Sequence, residues 1–410
     1  MKTDRADLLI VGAGAAGLFA AIWAGRTHPG RRILLLDGAK TLGAKILVAG
    51  GGRCNVTHDV VHEDAYAGSS RNAIRKVLKR FDVPQTRAFF EELGVELKRE
   101  ESGKLFPVSD SARTVLDALL SAVGQVGAEI HHPHRVERVE KTEYGFRVEG
   151  TWGTLETSKL VLATGGMSLP KSGSDGHGYH LARALGHTIT ERVFPALVPL
   201  ILPADHFLRA LSGISAPARL EVRSASGKLL ADFTGSTLCT HFGLSGPPVL
   251  DISRYYIDAA LDDPAGTQLL INWLPELTPE AFEQIVLSAG RISVGRLLSD
   301  HLPERLARGL CQTAGIEPQT PAQQLTRQAR RALVTTVTQL SLPVVGNRGF
   351  TYAEVTAGGI PLSEIRLDSM ESRVCPGLHL CGEICDVDGR IGGYNFQWAW
   401  ASGYAVGVSV

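Results

Sequence analysis

Residues 7–17 read DLLIVGAGAAG, and the interpretation of that stretch decides the fold. A short apolar β-type run, DLLIV, ends in glycines at 12, 14 and 17, and an alanine-rich helical pattern then continues through Arg26. After the turn THPG, the run RRILLLD reads as a second buried strand and closes on Asp37, twenty residues beyond Gly17. Strand, glycine turn, helix and strand make a βαβ unit, the opening of a doubly wound parallel sheet. The glycines allow the turn and a close backbone approach to a pyrophosphate, the helix N-terminus adds N–H groups and positive dipole, and the acid binds ribose hydroxyls. A close-packed helix and strand also use glycine, but strand, helix and acid in register favour a dinucleotide.

The same region could be mistaken for a membrane span or signal core, because Leu8 to Gly25 is a run of 18 non-polar residues. The leading MKTDRAD carries acids as well as bases, and three of the four glycines in the run stand at the offsets of a phosphate-binding turn. We therefore expect no membrane association and a cytoplasmic protein. Six cysteines scattered over 410 residues are too sparse for a disulfide framework and agree with a reducing compartment.

A chain of this length exceeds what one hydrophobic core usually serves, so two domains are expected. Lys plus Arg and Asp plus Glu are equal at 42 each, with no evident block of like charge, which argues against nucleic acid and for a small-molecule partner. Oligomeric state is not legible.

Residues 72–93 predict two short helices and residues 111–125 a longer one. Between 129 and 163, short alternating runs predict a small antiparallel meander that ends in the buried strand KLVLAT. From about 191 the texture changes: prolines fall at 195, 199, 203 and 217, then ARLEVRSASGKLLADFTG predicts a hairpin, and charged helical stretches follow at 278–333. Near 350 the glycine-rich buried pattern returns. The expected architecture is α/β: a Rossmann-like domain of residues 1–190 and 346–410, interrupted by a β-rich domain with a helical lobe at 191–345.

Two later segments bear on which dinucleotide. KLVLATGG at 159–166 and PGLHLCGEICDVDGRIGGYNFQWAWASG at the C-terminus resemble FAD motifs of two-domain flavoproteins. An apolar helix after GGYN would aim its N-terminus at the flavin N1 and C2=O edge, where negative charge develops on reduction. Together with LGAKILVAGGGRCNVTH, SGKLFPVSDSA, GSDGHGYHLARALGH, THFGLSGPPVL and EVTAGGI, these segments make the chain resemble the fumarate-reductase type of FAD fold. More closely, it resembles bacterial flavoproteins of the aminoacetone-oxidase-like and bile-acid-reductase-like type, over nearly its whole length.

The resemblance implies noncovalent FAD under the inserted domain. It assigns the pyrophosphate turn to Gly12, Ala13, Gly14, Ala15, Ala16 and Gly17, and the adenosine end to Asp37, Gly38 and Val136. Lys45 and the loop Gly51, Gly52, Arg53, Cys54 and Asn55 would run along the pyrophosphate to the isoalloxazine. Ala163, Thr164, Gly165 and Gly166 form another wall; Gly382 and Glu383 would bind the ribityl chain, and Gly393, Tyr394, Asn395 and Phe396 the flavin edge. Two positions depart from the pattern: Asp37 stands where glutamate is commoner, and His58 where asparagine is commoner.

Candidates for catalysis are Arg390, His241 and Cys54. In the fumarate-reductase type a stretch resembling GRIGG carries an arginine that binds an anionic substrate, which points to Arg390; a salt bridge to Asp386 or Asp388 is the structural alternative. His241 could act as acid or base, although a lone histidine is more often a packed or surface residue. His177 carries the same ambiguity, and Asp175 and Gly176 read as loop-shaping. Cys54 has no neighbouring cysteine, so the open matter is whether its thiol touches the flavin. Cys381 and Cys385, and Trp398 and Trp400, read as packing, and the arginines at 327, 330 and 331 as a solvated face.

A second G-x-G-x-x-G and a redox cysteine pair are both lacking, which excludes the disulfide-reductase type. The expected activity is hydride exchange between flavin N5 and a small organic substrate. It could run as amine or amino-ketone oxidation, or as enone reduction with NAD(P)H as transient reductant. A flavin-binding regulator or RNA-associated flavoprotein without turnover is the alternative.

Overall fold

In the computed structural model, which describes residues 4–410, the chain divides into two units. One comprises Met1–Pro195 with Glu354–Val410, the other Ala196–Ala353.

In the first unit the strand Asp4–Val11 lies between Ile33–Leu36 and Gly153–Leu162 and is parallel to both. Glu129–His131 extends the parallel sheet on one side and Leu378–Leu380 on the other. Ile33–Leu36 is buried at every position, as a parallel strand covered on both faces must be. Register sets Val11 level with Leu36 and Leu162, and Leu162 level with Leu380, so four neighbouring strands end together. The chain leaves Asp4–Val11 toward one side and returns on the other through Gly153–Leu162. That reversal opens a crevice at the carboxyl ends, where doubly wound sheets take ligands.

The segment 129–163 corrects the sequence expectation. Glu129–His131 is no part of a meander; it pairs in parallel with Ile33–Leu36, and three residues are too few to show a period. TLETS and KLVL are one strand. Its outer edge pairs antiparallel with Gly145–Gly150 over its first half and parallel with Leu378–Leu380 over its last residues.

Two helices cover the crevice-forming strands. The opening helix Ala15–Thr27 and the terminal helix Tyr394–Gly407 are buried over most of their surface, as helices apolar all round are. They pack backbone against backbone: a Cβ at Gly403 would stand 2.6 Å from the Ala16 carbonyl oxygen, and one at Gly407 2.8 Å from that of Ala20. The long apolar run of the N-terminus is thus a strand, a turn and a 13-residue helix. Among the described residues no helix is long and apolar enough to cross a membrane.

The second unit is built on a seven-stranded antiparallel sheet centred on Ser215–Arg223 and Leu229–Thr240. Ala216, Ala218, Leu220 and Val222 alternate inward along the first of these, the period-two pattern of a half-buried strand. The helix Pro247–Asp262 and four further helices between Pro279 and Thr338 complete its own core.

Candidate cofactor and active site

The three glycines of the first turn do different work. At Gly12, with φ +103°, a side chain would collide with the Ala163 carbonyl, and at Gly17 with the Gly12 carbonyl. These two let strand, turn and helix close up. Gly14 is different: a Cβ there would meet nothing within 4 Å. It caps the helix N-terminus, with no side chain bonded to the first N–H groups, so those donors face open space suited to an anion. Asp37 braces the turn from the second strand: Oδ2 accepts the Ala13 N–H at 2.7 Å and Oδ1 the Ala39 N–H at 2.8 Å. Gly38 lies under Arg135, whose Cβ is 2.8 Å from where a Gly38 Cβ would stand, and Val136 is buried.

The opposite wall starts at Ala163, whose N–H donates to the Val11 carbonyl at 2.9 Å. Just beyond it, Thr164 Oγ1 and Ser174 Oγ are buried without a hydrogen-bond partner, as is Asn55 Oδ1 on the glycine loop. Buried polar atoms are normally paired. Unpaired hydroxyl and amide groups on segments that close this crevice fit a polar cofactor, and the open space at Gly14 fits its diphosphate.

Glu383 follows Gly382, which sits at φ +76° against Ala16. Its carboxylate is held three ways: by the Lys45 ammonium, by Ser168 Oγ at 2.8 Å and by the Thr356 N–H at 2.9 Å. Lys45 also donates to Ser168 Oγ at 2.7 Å, and Thr356 Oγ1 accepts the N–H groups of Met167 and Ser168 at 2.7 and 3.0 Å. Gly166 is required here, because a Cβ would lie 2.5 Å from Thr356 Oγ1. Sequence reasoning missed Ser168 and Thr356. Their signal was positional only: one lies two residues beyond ATGG and the other sits inside EVTAGGI.

Four of residues 50–54 have positive φ, +58°, +69° and +87° at Gly50, Gly51 and Gly52 and +59° at Cys54, with Arg53 at −98° between them. Gly51 opens to free space. Cys54 turns inward, is 0 % exposed, and its thiol is pushed up to about 12 by burial. A fully enclosed, protonated thiol is a poor nucleophile, so the enclosure of Cys54 speaks against the catalytic role expected of it. Arg53 is turned to Glu100 at 2.6 Å and Asp110 at 3.6 Å, with its guanidinium 4.0 Å over the Phe106 ring.

At the C-terminal motif, Gly393 at φ +95° lets the helix start at Tyr394. Asn395 clamps the preceding loop, accepting the Gly389 N–H and donating to the Gly389 carbonyl, both at 2.8 Å. Both ends of its amide are therefore engaged by the chain itself. Tyr394 stacks on His58 with centroids 5.0 Å apart, and its carbonyl accepts Tyr66 Oη at 2.7 Å. Phe396 stacks on Trp400. Strand Val387–Gly389 pairs with Tyr66–Gly68 and leads to Arg390, which is exposed and whose N–H donates to the Ala65 carbonyl.

His241 lies in the second unit, exposed, with its ring against Phe242. His177 Nε2 meets the Glu137 carbonyl at 3.2 Å, and Asp175 pairs with Arg135 at 2.8 Å. Trp398 and Trp400 are buried, donating to the carbonyls of Gly382 and Val56. All six cysteines are free and buried. Among the described residues no group of acids, histidines and cysteines could hold a metal ion.

The family described as "HI0933-like protein Rossmann domain" matches residues 6–409. The chain is 34% identical over 403 residues to a 3-dehydro-bile acid delta(4,6)-reductase of Clostridium scindens, covering 97% of both. It is 36% identical over 405 residues to a ribosomal RNA dihydrouridine synthase of Escherichia coli, covering 98% of this chain and 97% of that one. Among solved structures, an E. coli quinol fumarate reductase matches with TM-score 0.51 at 17% identity, over all of this chain and 70% of that one. A 3-ketosteroid delta1-dehydrogenase of Sterolibacterium denitrificans matches with TM-score 0.51 at 13% identity over 99% of both. At such identities the last two speak to fold alone.

Proposed function

The chain belongs to the HI0933-like Rossmann family, and from that premise, which makes it an FAD-dependent oxidoreductase, we propose that it reduces a carbon–carbon double bond conjugated to a carbonyl. The carrying observation is that two relatives at 34% and 36% identity, each matched nearly end to end, are named for different molecules but one chemistry. A 3-oxo steroid unsaturated at positions 4 and 6 and the C5=C6 bond of uracil are both alkenes polarised by a carbonyl. Each accepts hydride at the β carbon and a proton at the α carbon, with the carbonyl oxygen gathering charge in between.

The residues present suit that task. Gly14 and the N-terminus of Ala15–Thr27 would hold the pyrophosphate, Asp37 the adenosine ribose, and Glu383, fixed by Lys45, Ser168 and Thr356, the ribityl hydroxyls. Bound FAD supplies the hydride. The N-terminus of Tyr394–Gly407 would stabilise negative charge at the flavin edge. Arg390, exposed at the head of that loop, would hydrogen-bond the substrate carbonyl and so draw electrons from the β carbon. NADPH or NADH is the proposed source of reducing equivalents.

The test is anaerobic. Holoprotein should bleach with NADPH or NADH and recover its oxidised spectrum on adding a 3-oxo-Δ4 steroid or a uridine-containing RNA. Bleaching by amines but not by nicotinamides, with recovery only in oxygen, would overturn the reductase in favour of an oxidase.

A further inference from the structure

The overall charge balance contains one locally cationic stretch, residues 71–87. The helix Arg71–Leu78 buries Ile74, Val77 and Leu78 and turns the opposite half outward. That half, its continuation and the next helix, Val83–Glu92, expose Arg71, Arg75, Lys76, Lys79, Arg80 and Arg87. One acid falls between 71 and 87: Asp82, whose carboxylate accepts the Gln85 N–H at 3.0 Å in a capping box. Arg75 faces Glu63 at 3.6 Å; the other five cations form no ion pair among the described residues. Arg26 with Glu92, Arg99 with Asp59 and Arg147 with Glu156 show the paired arrangement that these five lack. Beside this face lies a cleft of about 440 Å³ whose lining includes Ser69, Ser70, Ala73, Arg373 and Asp386.

We propose that this face, Arg71 to Arg87, docks the phosphate backbone of RNA. Unpaired, clustered cations leave a positive field that a polyanion neutralises with release of its counterions. Arg71, Arg75 and Lys79 recur every four residues, about 6 Å along the helix axis, close to the separation of successive phosphates along one strand. The face has no membrane-inserting character: no large hydrophobic residue between 71 and 92 is exposed, whereas a helix that lies in a bilayer needs an outward apolar side. The face is also tied to the candidate site. The residues just before the helix pair, as Tyr66–Gly68, with Val387–Gly389, and Ser69 Oγ donates to Asp386 Oδ2 at 3.1 Å. The choice of RNA among nucleic acids rests on the reductase reading above, since uracil is the conjugated alkene that RNA offers.

The experiment uses flavin-loaded full-length protein and fluorescence anisotropy of a fluorescein-labelled, uridine-looped RNA hairpin, titrated over a range of KCl. The triple variant Lys76→Glu/Lys79→Glu/Arg80→Glu replaces exposed side chains, and unchanged flavin content and Tm verify its fold. Wild type is expected to bind with a steep salt dependence. The variant should bind at least tenfold more weakly, with a slope of log K against log salt shallower by about 2, at about 0.7 per lost phosphate contact to a single strand. Equal binding by both proteins, or no salt-dependent binding by wild type, overturns the proposal. So does sedimentation with phosphatidylserine vesicles that the variant loses while keeping RNA binding. Flavin bleaching by NADPH with recovery on a small steroid enone is read separately, so failure at this surface is distinguishable from failure of the reductase chemistry.

Discussion

Lys45 and Glu383 stand 338 positions apart in the chain and form an ion pair, with Ser168 Oγ bonded to both. The pair joins the segment after the second strand to the segment before the terminal helix. Neither side chain is more than a third exposed, at 30% and 16%, so the contact is shielded from much of the screening that weakens surface pairs.

Glu383→Ala should therefore purify largely without flavin. It removes the proposed ribityl partner, leaves the Thr356 N–H without its acceptor and takes the counter-ion from Lys45, a cost of about 1–3 kcal/mol for an unsatisfied polar group. The ratio of flavin to protein absorbance and a thermal melt would check this. Full flavin content in the variant would refute the assignment.

The glycines at 12, 14 and 17 should separate into two classes. Gly17→Ala puts a methyl into the Gly12 carbonyl and Gly12→Ala one into the Ala163 carbonyl, so both variants should fail to give soluble protein. Gly14→Ala meets no protein atom within 4 Å and should fold with a near-normal circular dichroism spectrum yet bind FAD poorly. Normal FAD affinity in that variant would place the pyrophosphate elsewhere.

Cys54→Ser should keep the flavin spectrum and turnover, at a stability cost of about 1–3 kcal/mol for a hydroxyl placed in an apolar site. Unfolding by urea measures the cost. A shifted flavin spectrum in the folded variant would restore the thiol to the cofactor's surroundings.

The buried thiols also set an alkaline limit. Burial raises Cys54, Cys239 and Cys381 to about 12 and Cys311 to about 11, against about 8.5 when unfolded. Between those values the folded chain holds protons that the unfolded chain releases, so stability is intact below about pH 8.5 and falls as pH rises toward 12. Urea midpoints measured from pH 8 upward should decline, and DTNB should find no fast-reacting thiol in native protein at pH 8. Rapid labelling of a thiol would contradict the burial.

Arg390→Ala should leave flavin content unchanged, slow reoxidation by a conjugated carbonyl substrate at least tenfold, and spare bleaching by NADPH; His241→Ala, altering a side chain exposed in the second unit, should change neither. Rapid-mixing absorbance resolves the two half-reactions. Normal reoxidation by the Arg390 variant would assign that arginine to loop structure.

Much of the crevice was readable because its parts are local. A βαβ unit declares itself through the run of Leu8 to Val11, the three glycine offsets and Asp37, all within one short stretch, and the Asp37 to Ala13 bond spans only 24 residues. Glu129–His131 was misread because three residues carry no period, and its place is set by the partner Ile33–Leu36. Ser168 and Thr356 were missed because a lone hydroxyl has no spacing to recognise. They acquire meaning when the fold brings them to Glu383.

The sequence by itself determined the Rossmann βαβ unit, because it depends on backbone permissions that glycine, at fixed offsets from a strand and an acid, supplies; the FAD type and the oxidoreductase class were legible through the resemblance of the later segments. Tertiary structure decided the rest. It separated Gly14, open to the crevice, from Gly12 and Gly17, closed against backbone. It enclosed Cys54 by turning it inward at φ +59°, and it left five of the six cations at 71–87 exposed without an ion pair among the described residues. Enclosure and field depend on which atoms lie nearby in space, and a chain meets those neighbours only once it has folded.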